Sequence, residues 1–249
     1  MKSIPTIYED ERLLVLDKPA GLMVHGDGKT AAATLADLVL REYPGMKDVG
    51  EPLRIGGKTV YRPGIVHRLD KDTSGVIALA KDAETFSFLK KKFQAREVGK
   101  TYLAIVHGRM EEKEGVIDRP LARSAGDFRK YSAHATARGE RRAAVTAYRV
   151  LGYLTENDRE FTVVEAYPKT GRTHQIRAHF HFIHHPVVGD ALYAGKLGSA
   201  LGMERLALHA RRLEFTMRSG EKMRFEAPVP EDLARATAGL GRLVEGPSA

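Results

Sequence analysis

Gly64-Ile65-Val66-His67-Arg68-Leu69-Asp70-Lys71-Asp72-Thr73-Ser74-Gly75 is the stretch on which the reading of this chain turns, because it sets one carboxylate among cationic, polar and small residues. Ile65 and Val66 lead in and Val76-Ile77-Ala78-Leu79-Ala80 leads out, so the stretch reads as a break between two buried strand segments. Loops held between such strands often carry function. Asp70 is therefore the first candidate for chemistry. Local chemistry also allows an Asx-type turn, in which Asp70 or Asp72 bonds a nearby backbone N–H and Gly75 supplies a left-handed position.

Working outward, short strands are predicted at 4–8 and 13–16, then a turn at Ala20-Gly21 before a short apolar run at 22–24. Apolar residues at 35, 38 and 39 predict a helix over 34–43 that Pro44-Gly45 ends, and 45–63 reads as loop. Beyond the Asp70 turn come a strand at 76–80, a helix over 83–95 with Phe86, Leu89 and Phe93 on one face, and a strand at 101–106. Alternation near 130–136 and 143–153 predicts a long hairpin across Arg138-Gly139-Glu140. A strand at 161–167 precedes a helix over 173–183, with Ile176, Phe180 and Ile183 on its buried side and His174, Arg177 and His181 opposite. Strands at 206–216 and 222–226 lead to a helix opened by Pro230-Glu231-Asp232. Strand-rich order with inserted helices predicts α+β on a mainly antiparallel sheet, not regular βαβ repetition.

The chain has 249 residues, 43% of them apolar, enough for a full core as one domain or two closely joined halves. It has no cysteine, which excludes a thiol nucleophile and a thiolate zinc site and suits a reducing cytoplasm. No apolar run approaches a membrane span, and the N-terminus lacks a signal-peptide core. Lys+Arg number 40 against 32 Asp+Glu, and a pI near 9.6 favours a polyanionic partner. The excess concentrates between 119 and 149, where eight Lys/Arg face Asp127 and Glu140, a balance of +6. Phe128, Tyr131 and Tyr148 are interleaved there, offering base-stacking surfaces beside phosphate-binding charge. A solvated hairpin face with ordinary core aromatics is the competing reading.

His67-Arg68-Leu69-Asp70, followed by Thr73-Ser74-Gly75 and Ala80-Lys81-Asp82, resembles the signature of the RluA family of pseudouridine synthases. Three further segments match in order: Asp17-Lys18-Pro19-Ala20-Gly21-Leu22-Met23-Val24-His25, then Lys100-Thr101-Tyr102-Leu103-Ala104, then Lys169 to His179 followed by Pro186-Val187-Val188-Gly189-Asp190. The resemblance implies a bisected mixed sheet with a central active-site cleft. It also implies one catalytic domain over 1–249, with a motif-bearing core from about 12 to 215 and a C-terminal strand and helix over 216–245. The first motif begins by residue 17, so no separate N-terminal RNA-binding domain is expected. Asp17 stands where relatives often have Asn, and Gly26 where many have Pro.

The implied reaction breaks the bond between uracil N1 and ribose C1′, turns the base and joins C5 to C1′, without a cofactor. It needs an ionised carboxylate, which attacks carbon or removes a ribose proton, and a group that handles the C5 proton. The resemblance assigns the carboxylate to Asp70, a supporting cation to Arg177, and ring stacking with C5 proton handling to Tyr102. Arg is apt because it keeps its charge and grips a carboxylate bidentately. Ile176 is read as apolar wall. Arg68 matches the position that fills the gap left by a flipped-out uridine. His67 is read as a substrate contact or, more simply, as a hydrogen-bonding brace of the turn. Lys18, Lys81, Lys100 and Arg172 are phosphate contacts or surface cations. The expected partner is structured RNA, ribosomal or transfer, bound by a cytoplasmic monomer with no membrane or metal. Two competing readings are an RNA-binding or assembly factor that has lost catalysis, and a metal site among His174, His179, His181, His184 and His185. Intact Asp70, Tyr102 and Arg177 oppose the first, and the lack of an HExxH pattern opposes the second.

Overall fold

The computed structural model describes residues 4–26 and 32–241. Its elements in chain order are β1 (Thr6–Glu9), β2 (Leu13–Lys18), α1 (Leu35–Glu42), β3 (Leu53–Ile55), β4 (Lys58–Val60), β5 (Ser74–Ala80) and α2 (Ala83–Gln94). Then come β6 (Gly99–His107), β7 (Glu114–Asp118), β8 (Leu121–Arg123), β9 (Tyr131–Ser132), β10 (Arg138–Arg142), β11 (Val145–Glu156) and β12 (Arg159–Pro168). The chain continues through α3 (Gln175–Phe182), β13 (Leu208–Thr216), β14 (Lys222–Glu226) and α4 (Glu231–Ala236). This is an α+β protein, mostly strand, and it divides into two compact units: Met1–Gly99 with Ala210–Pro228, and Lys100–His209 with Val229–Ala249.

In the first unit β2 pairs antiparallel with β1 and with β5, and β14 pairs antiparallel with β13. Leu13 to Leu16 and all of β5 are buried, which is why these strands read as continuous apolar runs without alternation. Helix α1 starts where Thr34 accepts the Asp37 amide and Asp37 returns a bond to the Thr34 backbone, a capping box of a kind that contributes roughly 1 kcal/mol. Asp82 caps α2 by accepting the Thr85 N–H at 2.8 Å, and the helix turns Phe86 and Leu89 into the core.

The second unit is built on an antiparallel order β6-β12-β11-β7. Strands β11 and β12 meet at Asn157-Asp158, both at positive φ as a tight primed turn requires. Leu103, Ile105, Phe161 and Val163 form a core with Phe180 of α3 and Leu233 of α4.

Two sequence expectations are corrected. Residues 45–63 are not all loop: β3 and β4 form a small hairpin about Gly56-Gly57, both at positive φ. The long hairpin across 138–140 does not exist: Arg138 to Arg142 is itself strand β10, paired with β8, which also pairs with β9, while β11 pairs with β12 and β7. Of the C-terminal segment expected at 216–245, β14 and α4 are present, and 242–245 lie outside the described residues.

Candidate active site

Asp70 belongs to the first unit, on the loop entering β5, and its side chain is partly exposed. The loop is bracketed by Gly64 (φ +62°) and Gly75 (φ +112°), where a Cβ would run into the carbonyls of Ala80 and Ala210 respectively. Only glycine meets both demands at once, left-handed backbone and close approach. Between these brackets the Thr73 N–H donates to the Asp70 carbonyl at 3.2 Å, which closes a backbone turn. Leu69 is buried, and the His67 ring stacks on Phe93 at 4.6 Å while its Nε2 accepts the Ala78 N–H at 3.0 Å. His67 is thus a brace of the turn, the simpler of its two sequence readings, and a neutral ring accepting at Nε2 carries its proton on Nδ1.

Lys18 needs the plainest correction. It is fully buried, and its ammonium donates to the carbonyls of Pro19 (2.8 Å), Leu22 (2.8 Å) and Lys71 (3.0 Å). An ammonium has three donors, so Lys18 is a clamp between the 18–22 turn and the Asp70 loop, not a phosphate contact. The Gly21 N–H reinforces it at 2.9 Å to the same Lys71 carbonyl. Lys81 is likewise engaged, with Glu9 at 2.8 Å and the Asp10 carbonyl at 2.7 Å. Glu9 also accepts the Tyr43 hydroxyl, whose pKa that bond pushes up to about 12.

Arg68 is exposed beside Asp70. Burial, then the charges of Arg68 and Arg62, hold the His25 imidazole below its ordinary pKa, so His25 and the two arginines form one cationic neighbourhood. Sequence reasoning passed over Arg62. Its Nε is buried without a hydrogen-bond partner among the described residues, a donor left over next to like charge.

In the second unit Tyr102 lies on β6, partly exposed, opposite Ala166 of β12. Lys100, two residues earlier, donates to the Thr170 carbonyl at 3.3 Å. Arg172 donates through Nε to the Ala143 carbonyl at 3.1 Å, and its N–H bonds Gln175 at the start of α3. Ile176 is buried in the core. Arg177 is buried too, and it grips Asp190 bidentately, Nε to Oδ2 at 2.6 Å and a terminal nitrogen to Oδ1 at 2.8 Å. That Asp190 oxygen also accepts the N–H groups of Leu192 (3.0 Å) and Tyr193 (3.1 Å). The sequence reading quoted Asp190 within a motif and gave it no role.

The face of α3 bearing His174, Arg177 and His181 is covered by Tyr193. Its ring lies 5.8 Å from His174, 5.6 Å from His181 and 5.1 Å from the Arg177 guanidinium. Two more imidazoles of this group are engaged in hydrogen bonds, His179 between the Thr146 hydroxyl and the Arg119 carbonyl, both at 2.9 Å, and His185 on the His107 carbonyl at 2.8 Å, while His184 is exposed. Burial pushes the His179 pKa down, which matches a neutral ring donating from Nε2 and accepting at Nδ1.

The comparisons with known proteins agree with the motifs. Residues 12–182 match the RNA pseudouridylate synthase family. The chain belongs to the RluA family of RNA pseudouridine synthases. It is 40% identical over 246 residues to ribosomal large subunit pseudouridine synthase D of Xanthomonas campestris, covering 94% of this chain and 68% of that protein. It is 37% identical to the uncharacterised RNA pseudouridine synthase YlyB of Bacillus subtilis, covering 94% and 71% of the two chains. The solved human RNA pseudouridylate synthase domain containing 4 superposes with a TM-score of 0.70 at 27% identity, over 95% of this chain and 92% of that one. Human RNA pseudouridylate synthase domain containing 1 shares the fold, with a TM-score of 0.73 at 24% identity over 91% and 84%. The chain is accordingly an isomerase that acts on RNA, and among the described residues no helix is long and apolar enough to cross a membrane.

Proposed function

We propose that this synthase isomerises uridines of large-subunit ribosomal RNA, with Asp70 as the essential carboxylate. The observation that carries the assignment is the mounting of Asp70: a partly exposed carboxylate on a loop fixed by two obligatory glycines, the buried Lys18 clamp and the His67 brace. A group that attacks C1′ or removes a ribose proton gains from being held in place before substrate arrives. The ribosomal substrate is argued from the name of the Xanthomonas relative. Tyr102 and Arg177 are proposed as partners of Asp70 on the strength of the matching motifs, Tyr102 to stack on the base and handle the C5 proton, Arg177 to favour the ionised carboxylate. Arg68, exposed two residues before Asp70, is proposed to fill the space of the flipped base, whose unstacking costs a few kcal/mol. Arg62 is proposed to add its charge to that of Arg68 in attracting the RNA backbone. The reaction so written uses side chains alone and runs in the cytoplasm on a monomer.

Pseudouridine mapping of total RNA from cells with and without the gene tests the substrate, and an Asp70→Asn copy tests the residue. The large-subunit sites lost with the gene should stay unmodified with that variant. Sites lost only from transfer RNA would overturn the ribosomal assignment, and restoration by Asp70→Asn would remove Asp70 from the chemistry.

A further inference from the structure

Of the three aromatic side chains within the basic segment, the structure withdraws two from solvent and presents one. Tyr148 is 8% exposed and packs on Phe180. Tyr131 is half-buried, with its N–H and carbonyl both bonded to the Tyr193 hydroxyl (2.8 and 3.0 Å) and Arg123 over its ring. Phe128 is 78% exposed, more than any other large hydrophobic side chain among the described residues. It does not sit on a loose loop. The β8–β9 connection is closed by the Ser124 N–H on the Lys130 carbonyl and the Lys130 N–H on the Asp127 carbonyl, both 3.0 Å. Arg123 donates to the Phe128 carbonyl at 2.5 Å, and Arg129 holds Asp127 bidentately, lowering that carboxyl to about 2. A fixed tip that puts a phenyl ring into water forgoes the burial every other phenylalanine seeks. The ring belongs to a segment of balance +6 between 119 and 149, with Arg129 and Lys130 following it in sequence.

We propose that Phe128 is a base-stacking platform: the tip of the β8–β9 hairpin docks on a single-stranded stretch of the RNA substrate, one unpaired base lying on the ring while the neighbouring cations neutralise its backbone. Flat apolar area amid positive charge fits a nucleobase flanked by phosphates, since every base offers a π-face whatever its identity. This deepens the RNA-modifying reading above and rests on it. The ring has no part in the chemistry at Asp70, so the platform serves affinity and not turnover.

The chain has no tryptophan, so Phe128→Trp places its sole indole at the tip. The full chain is made as Phe128→Trp with Asp70→Asn, which binds without turnover, and titrated with a ten-nucleotide oligouridylate and, separately, with polyphosphate. Indole emission should be quenched by the oligonucleotide, with loss of acrylamide accessibility, while polyphosphate competes for the charge and leaves emission unchanged. In parallel, Phe128→Ala should weaken RNA binding about tenfold with the salt slope unaltered, and Phe128→Tyr should restore it. Equal responses to oligonucleotide and polyphosphate overturn the platform. So does an emission change on phosphatidylserine vesicles with none on RNA, which would make the ring a membrane contact. Failure of Asp70→Asn to abolish modification would strike the catalytic reading and leave the quenching result standing, and the reverse outcome would strike only the platform.

Discussion

Asp190→Asn isolates the buried ion pair of the second unit. The side chain of Asp190 is 0% exposed and that of Arg177 is 9% exposed, so neither charge is well solvated. An asparagine oxygen can take the Oδ1 place, keeping the N–H groups of Leu192 and Tyr193 and one Arg177 nitrogen. Its amide nitrogen then stands where Oδ2 accepted the Arg177 Nε, so two N–H groups face each other at 2.6 Å. Breaking a buried pair by removing one charge costs about 3–5 kcal/mol. Because three of the four bonds survive, we expect the lower end, about 3 kcal/mol, or roughly 6–12 °C in Tm for a chain of this size. Asp190→Ala should cost more, since it also strips the acceptor from two backbone N–H groups. The double variant Arg177→Met/Asp190→Leu should unfold later than Asp190→Asn, because an apolar pair carries no desolvation debt. Urea unfolding followed by circular dichroism measures all three. Should Asp190→Asn lie within about 1 kcal/mol of the parent and Asp190→Ala be no worse, the pair does not hold α3 in place and the reasoning fails.

Lys18→Met should destabilise by about 3 kcal/mol or more, since three carbonyls lose a charged donor, and should lower activity through the Asp70 loop; stability unchanged in urea would refute the clamp. The folded pKa of His179 lies below its unfolded value near 6.5, so its contribution to stability is complete above that pH and is lost as pH falls towards the folded value. The urea midpoint should therefore drop between pH 7 and 5, and drop less in His179→Gln, whose amide can accept from Thr146 and donate to Arg119; equal drops would exclude this ring as a source. Asp70→Asn should abolish modification with a urea midpoint close to the parent's.

What the sequence made legible was whatever left a mark in residue type. Helix α1 announced itself through the spacing of Leu35, Leu38 and Val39 and through Pro44, and α3 through the spacing of Ile176 and Phe180. The β3–β4 hairpin had left one too, Gly56-Gly57 between Leu53-Arg54-Ile55 and Lys58-Thr59-Val60, and it was missed because each strand has only three residues. Strand β10 left none: all five residues are exposed, so no alternation marks it, and pairing with β8 makes it a strand. That pairing also changes the role of Arg141, whose guanidinium donates to the carbonyls of Ala133, His134 and Ala135, so it ties a turn as well as carrying charge. Lys18 was illegible for a related reason. Its partners are backbone carbonyls, which every residue has, so no residue type reveals that this lysine is buried.

The signature His67-Arg68-Leu69-Asp70 mixes two kinds of residue, and the structure separates them by alternation. His67 is spent on Ala78 and Phe93 and Leu69 is buried, while Arg68 is exposed and Asp70 partly so. One pair thus anchors the loop, and the other is the more exposed. The anchoring pair is backed by Lys18 through the Lys71 carbonyl and by the two glycines, none of which needs the Asp70 carboxylate to stay in place. This is the physical reason for expecting Asp70→Asn, a change of nearly equal size, to cost little in unfolding while being decisive in turnover: the clamp, the brace and the two glycines are all untouched by it.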